Sequence, residues 1–248
     1  MQKKLVLCSR GGGVKSATTI GALKAFKEAN IEISSYSGSS IGAIVTTLAA
    51  IDTPAEQILT LFQKFVVEYS EANRLHGGKG SSIIEKSINE QCNNIRFKDV
   101  EKPLYIVANS GGLWRTEAFI FSKETTPNIT LGEACRASCS FPIFYEHFRC
   151  RINDEDVKFF DGGMAMNPYV PPLKKDEISV VVSFKKNKTN LKSRYVQSWM
   201  VPEKSANILI KPYVGRMGIF GTPDDIEMCM RLGYYEALRH VETLKKEY

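Results

Sequence analysis

Short apolar runs and helically spaced apolar positions take turns along this chain. Residues 4–8 (KLVLC) predict a short buried strand, broken by Gly11, Gly12 and Gly13. Residues 17–30 predict a helix, 31–37 a second strand, 38–42 (GSSIG) a tight turn, and 43–51 a second helix. The Thr53-Pro54-Ala55-Glu56 capping pattern opens a third helix, with Ile58, Leu61, Phe62, Phe65 and Val66 at i, i+3, i+4, i+7 and i+8. A glycine-rich loop is expected at 74–81 and a short helix at 82–92. Strands are expected at 104–108, 118–121, 157–160, 178–184 and 207–211. Thr130-x-x-Glu133 caps a further helix, and Thr222-Pro223-Asp224-Asp225 starts a long last one reaching about Lys245. Strand, turn and helix repeating in this way is the pattern of an α/β fold with a mainly parallel sheet. A single domain over residues 1–248 is expected, with 54–100 and 185–220 inserted over the sheet.

Composition changes this picture little. The 248 residues are 43% hydrophobic and 24% charged, enough for a sizeable core. No run of about 18 apolar residues occurs, which excludes a membrane-spanning helix. The first residues lack the apolar region of a secretory signal, so the six cysteines are expected as free thiols in the cytoplasm. Cys135, Cys139, His147 and Cys150 cluster, but C-x3-C-x7-H-x2-C matches no common zinc spacing, and no metal is expected.

Charge is more informative. The net charge is +6, yet residues 185–216 carry eight basic residues and one acid, which is +7 and leaves −1 for the rest. Tyr195, Trp199, Met200, Tyr213, Met217 and Phe220 lie in or beside that segment. Basic and aromatic residues together suit an anionic membrane surface, against the plainer reading of a solvated loop. No nucleic-acid-binding motif accompanies them.

Three glycine turns carry the candidate chemistry. Gly38-Ser39-Ser40-Ile41-Gly42 fits G-x-S-x-G between a strand and a helix, the turn that exposes a serine hydroxyl; a simple tight turn reads the same way. Gly11, Gly12 and Gly13 follow a strand and precede a helix, so their amides suit an anion, either a phosphate or the oxyanion of acyl transfer. Ser9 and Val14 stand where a Walker loop needs glycine, and Ser16 breaks G-x-G-x-x-G. None of the three histidines, His76, His147 and His240, stands in a turn that marks a triad partner. Asp161 does: it ends an apolar strand and precedes Gly162 and Gly163, although Asp-Gly is also common in solvated turns.

Taken together, GGGxK (11–15), GSSIG (38–42) and DGG (161–163) resemble the patatin-like phospholipase family. Arg136-Ala137-Ser138, with Pro142 and Phe144, is similar to a further family block, as are Asn167-Pro168 and Leu232-Gly233-Tyr234. The likeness runs from about residue 4 to 240. It implies a three-layer α/β/α fold and a Ser–Asp dyad without histidine. Ser40 would be the nucleophile, Asp161 its base, and the amides of Gly11, Gly12 and Gly13 the oxyanion hole. It further implies calcium-independent hydrolysis of phospholipid or lysophospholipid esters, without cofactor, at a membrane met peripherally. A general carboxylesterase, or a weakly catalytic lipid-binding protein on the same fold, are the alternatives. One departure is Ser16, where the family has glycine. A position needing φ > 0 would be strained by serine, whereas one needing only a small side chain would not.

Overall fold

The protein is described from a computed structural model covering residues 3–76, 81–111, 117–141, 147–165, 168–185, 206–215, 217–218 and 220–247. Most of the basic segment, together with Pro142, Phe144 and Asn167, lies outside the described residues.

The chain opens with β1 (Lys4–Ser9), a 3-10 turn (Gly13–Ser16), α1 (Ala17–Glu28), β2 (Ile33–Ser39) and α2 (Ile41–Ala50). Next come α3 (Ala55–His76) and α4 (Ser81–Gln91), so residues 74–76 continue a helix rather than open the expected loop. Strand β3 (Leu104–Asn109), β4 (Ala118–Phe121) and α5 (Leu131–Ser138) follow. The hairpin β5 (Phe148–Ile152) and β6 (Glu155–Asp161) leads into a second 3-10 turn (Gly162–Met164). Then come β7 (Glu177–Val182), β8 (Ile208–Ile210) and α6 (Pro223–Glu247).

Local chemistry accounts for several boundaries. Thr130 and Glu133 form a reciprocal capping box at α5, with Thr130 Oγ1 accepting from Glu133 N at 3.2 Å and Glu133 Oε2 accepting from Thr130 N at 2.8 Å. Thr222 and Asp225 do the same at α6. The longer helix signal of α3 overrides its polar C-terminal turn, because five helically spaced apolar residues anchor it to the core.

Eight strands form one sheet in the order β5-β6-β3-β2-β1-β7-β8, with β4 also paired to β3. The run β3-β2-β1-β7-β8 is parallel, while β4, β5 and β6 pair antiparallel. The fold is therefore mixed α/β with a mostly parallel sheet flanked by helices. Side chains alternate across a strand, so the sheet has two distinct faces. Leu5, Leu7, Val180 and Val182 join helix side chains such as Ile20, Ile44 and Phe62 in one large core. Val6, Cys8 and Val181 point the other way, into a small cluster with Val170, Ala206 and Leu209. Among the described residues, no helix is long and apolar enough to cross a membrane.

This topology gathers the candidate residues. In a parallel sheet, the C-terminal strand ends share one edge, where open α/β sheets bind ligands. Strand β1 ends there at the glycine loop and β2 at Ser40. Strand β6 is antiparallel to β3 and pairs with that strand's end, Asp161 opposite Ala108.

Candidate active site

Ser40 sits between β2 and α2 with φ 52° and ψ −134°. A non-glycine residue with positive φ is uncommon, and it persists only where its surroundings fix it. The bend lifts the Ser40 hydroxyl out of the sheet, half-buried, at the N-terminus of α2. Ser40 Oγ donates to Asp161 Oδ2 at 2.6 Å. The backbone N–H of Ser40 donates to Ser138 Oγ at 2.7 Å, and that hydroxyl donates to Val107 O at 2.5 Å.

Asp161 is buried, 4% exposed. Its Oδ1 accepts the Gly163 N–H at 2.8 Å, and its own N–H donates to Ser140 O at 3.0 Å. Burial raises its pKa to about 6, with the bonds from Ser40 and Gly163 pulling the other way. The carboxylate is thus held near neutrality, where a proton acceptor works best. Cys139 closes the wall beside both residues. Desolvation first, then the Asp161 charge, pushes its thiol well above the ordinary range, so it stays a neutral thiol. The described side-chain bonds of Ser40 and Asp161 involve no histidine. His147 instead accepts from Arg149 Nε at 3.4 Å, and His240 lies on α6.

The glycine loop lies directly against this pair. A Cβ on Gly11 would stand 2.6 Å from Ser39 O and 2.7 Å from Ser40 Cβ, so only glycine fits there. Gly13 takes φ 64° to enter the 3-10 turn. The Ser16 departure is resolved by its backbone: φ −65° and ψ −12° are ordinary helical values. Its hydroxyl donates to Arg10 O at 3.1 Å, so serine ties the loop rather than straining it. Lys15 is fully buried, its ammonium donating to the backbone carbonyls of Met217 and Gly218 and lying 5.6 Å from the Phe184 ring centroid. That lysine anchors the loop to the segment leading into α6.

The five residues singled out in the sequence, Gly11, Gly12, Gly13, Ser40 and Asp161, therefore lie at one sheet edge. Sequence reasoning did not single out Ser138 as a separate functional residue, although the Arg136-Ala137-Ser138 block held the signal. Cys135 is buried beside Thr47 at 3.4 Å, and burial lifts its thiol to about 12. Among the described residues, no group of three His, Cys, Asp or Glu side chains is arranged to hold a metal.

Comparison with known proteins finds relatives in both sequence and fold. A cUMP-AMP-activated phospholipase of Escherichia coli is 25% identical over 227 residues, covering 83% of this chain and 68% of that protein. An uncharacterised protein of Acanthamoeba polyphaga mimivirus is 27% identical over 179 residues, covering 65% of this chain and 58% of its own length. Among solved structures, VipD from Legionella pneumophila matches 98% of this chain and 67% of its own at a TM-score of 0.63 and 14% identity. Human GIVD cytosolic phospholipase A2 matches 99% and 60% at 0.57 and 10%. Those two likenesses show the shared fold. The patatin-like phospholipase model matches residues 7–173, a run that takes in the glycine loop, the Ser40 bend and the Asp161 turn, and the chain belongs to the patatin-like phospholipase family.

Proposed function

We propose that this chain is a calcium-independent lipid acyl hydrolase that cleaves fatty acyl esters of phospholipids or lysophospholipids through a Ser–Asp dyad. The observation that carries this reading is the 2.6 Å bond from Ser40 Oγ to a buried Asp161 whose pKa is raised to about 6. Family membership brings the ester, and the E. coli relative's name brings the phospholipid.

The steps follow from the groups. Asp161 takes the hydroxyl proton as Ser40 Oγ attacks the ester carbonyl carbon. Backbone amides of Gly11, Gly12 and Gly13 hold the resulting oxyanion. Asp161 then returns the proton to the departing alkoxide, the lysolipid or glycerol oxygen. The C–O bond breaks, and the acyl group stays on Ser40. Water attacks this second ester while Asp161 accepts its proton; Asp161 then returns that proton to Ser40 Oγ as the Oγ–acyl bond breaks, and the fatty acid leaves. No step calls on a divalent cation. Access to lipid is assigned to the basic and aromatic residues of 185–220, which meet an anionic surface.

The test is fatty acid release from mixed phospholipid vesicles in the presence of a calcium chelator. Wild type releases fatty acid, Ser40→Ala none, and Asp161→Asn about 100- to 10,000-fold less than wild type. Release that survives Ser40→Ala would assign the nucleophile elsewhere. Hydrolysis of short-chain soluble esters alone would make the protein a carboxylesterase. Loss of release to the chelator would remove calcium independence.

A further inference from the structure

We infer that Ser138 is a positioning residue for Ser40, and that residues 138–140 act as a bracket setting the two halves of the dyad against each other. The inference rests on the dyad reading above, but its evidence is separate.

Ser40 leaves the β2 ladder at a backbone angle that L-residues avoid, and its N–H bonds a side chain rather than a neighbouring strand. Ser138 supplies the missing partner. It is fully buried at the C-terminal end of α5, where solvent cannot substitute. Its hydroxyl accepts from Ser40 N at 2.7 Å and donates to Val107 O at 2.5 Å. A hydroxyl can do both at once, which an alanine, carbonyl or amide cannot reproduce in that space. The donor role toward β3 fixes the lone pair that faces Ser40, so the bend is held by a group locked to the sheet.

Two residues on, the carbonyl of Ser140 accepts the Asp161 N–H at 3.0 Å. Cys139 lies between and touches both partners electrostatically. Ser40 and Asp161 are 121 residues apart in sequence, yet three consecutive residues hold the backbone of each. The bracket's frame is itself tied down. Ser140 Oγ donates to Arg136 O at 2.8 Å, and Arg136 pairs with Glu85 of α4 at 2.8 Å. One consequence concerns the oxyanion. The Ser40 amide is already engaged by Ser138, so the hole is built from other amides.

Removing the Ser138 hydroxyl therefore releases the bend and loosens the 2.6 Å approach of Ser40 to Asp161. The test compares wild type, Ser138→Ala, Ser138→Thr and Ser179→Ala. Ser179 is an equally buried serine of β7, bonded to Asn207, and it reports what losing a buried hydroxyl does by itself. Each protein is measured for its melting temperature, for p-nitrophenyl butyrate kinetics, and for the rate at which a fluorophosphonate labels Ser40, with the labelled peptide located by mass spectrometry. Ser138→Ala is expected to lower both kcat and the labelling rate about 10- to 100-fold, since small misplacement of a reacting group is costly. Its KM should stay within about twofold, because substrate binding is untouched. Ser138→Thr, which restores the hydroxyl, should return most of the rate. Ser179→Ala should keep wild-type kcat and labelling whatever its melting temperature.

Labelling of Ser138→Ala at the wild-type rate would overturn the positioning role. So would an equal loss in Ser179→Ala, which would reduce the effect to general destabilisation. A wild-type protein that is not labelled at Ser40 and cleaves no ester would instead overturn the dyad reading, and the bracket with it. Should the threonine variant not fold, the alanine pair decides the matter unaided.

Discussion

At the scale of single residues, Asp161 concentrates the conflict between stability and chemistry. Its folded pKa of about 6 lies above the ordinary 3.8 because burial disfavours the charge. The folded state therefore binds more protons than the unfolded one between those values, and stability falls as pH rises through that window. Above pH 6 the protein carries a buried carboxylate at a cost; below 3.8 the cost is gone. On the proposed mechanism activity runs the opposite way, since only the carboxylate can accept the Ser40 proton. The kcat/KM profile should rise with pH through an apparent pKa near 6, read with a soluble ester. Asp161→Asn keeps an acceptor for Gly163 and loses the charge. It should raise the melting temperature by about 3 °C at pH 8 and by less at pH 5, while abolishing the rising limb. A variant less stable than wild type at pH 8 would show that the carboxylate's bonds outweigh its desolvation. Ser40 and Asp161 were legible in the sequence because each sits in a short glycine turn whose residue types leave few alternatives. Ser138 was legible only as a member of the Arg136-Ala137-Ser138 block; its bond to a backbone amide 98 positions away is a pairing that no local pattern encodes.

Secondary-structure elements show the same divide between local and distant causes. Both capping boxes were readable, since a cap is completed within four residues. Strand β5 was not anticipated, although Phe148, Cys150 and Ile152 alternate with Arg149 and Arg151 as strand residues do. Its turn is Asn153-Asp154, with φ 49° and 68°, so the hairpin reverses through two left-handed residues. Asn tolerates that region well and Asp adequately, but the missing glycine weakened the signal. Asp154→Gly should stabilise the protein modestly, by about 0.5 kcal/mol, read as a higher urea midpoint with unchanged slope. The packing of α1 on α6 depends on contacts no single element reveals. A Cβ on Gly21 would stand 1.9 Å from Met230 O, and one on Gly233 2.0 Å from Thr18 O. The two helices meet backbone to backbone, and α1 begins where the glycine loop ends. Gly233→Ala should therefore destabilise by about 3 kcal/mol, through forced separation of the helices. An unchanged urea midpoint would mean that α6 shifts freely.

On the scale of the whole molecule, topology and charge divide the labour. The order β3-β2-β1-β7 brings the glycine loop and Ser40 together on neighbouring parallel strands, and the antiparallel return of β6 delivers Asp161 to the same edge. The alternation of strands and helices made the parallel part legible, while the antiparallel edge came from a long-range pairing the sequence does not display. Lys15 then links the glycine loop to the carbonyls of Met217 and Gly218, at the far end of the basic segment. On the proposed reading, the segment that meets lipid is thus continuous in sequence with the anchor of the loop that holds the oxyanion. Charge separates the two functions experimentally. Residues 185–216 carry +7 and the remainder of the chain −1, so the positive charge that would draw the protein to an anionic bilayer on the proposed reading lies in one segment. Each basic residue near such a surface contributes about 1 kcal/mol at low salt, and screening shortens the reach of that attraction to about 3 Å at 1 M salt. Asp161 is buried, and on the proposed mechanism its proton transfer from half-buried Ser40 spans one hydrogen bond, which salt does not reach. Raising salt from about 0.05 to 0.5 M should therefore lower turnover on anionic vesicles by tenfold or more and leave turnover of a soluble short-chain ester unchanged. Equal losses on both substrates would place the salt effect within the active site. Equal indifference would mean that the basic segment does not guide the protein to lipid, and the acyl ester would have to be reached through apolar contacts alone.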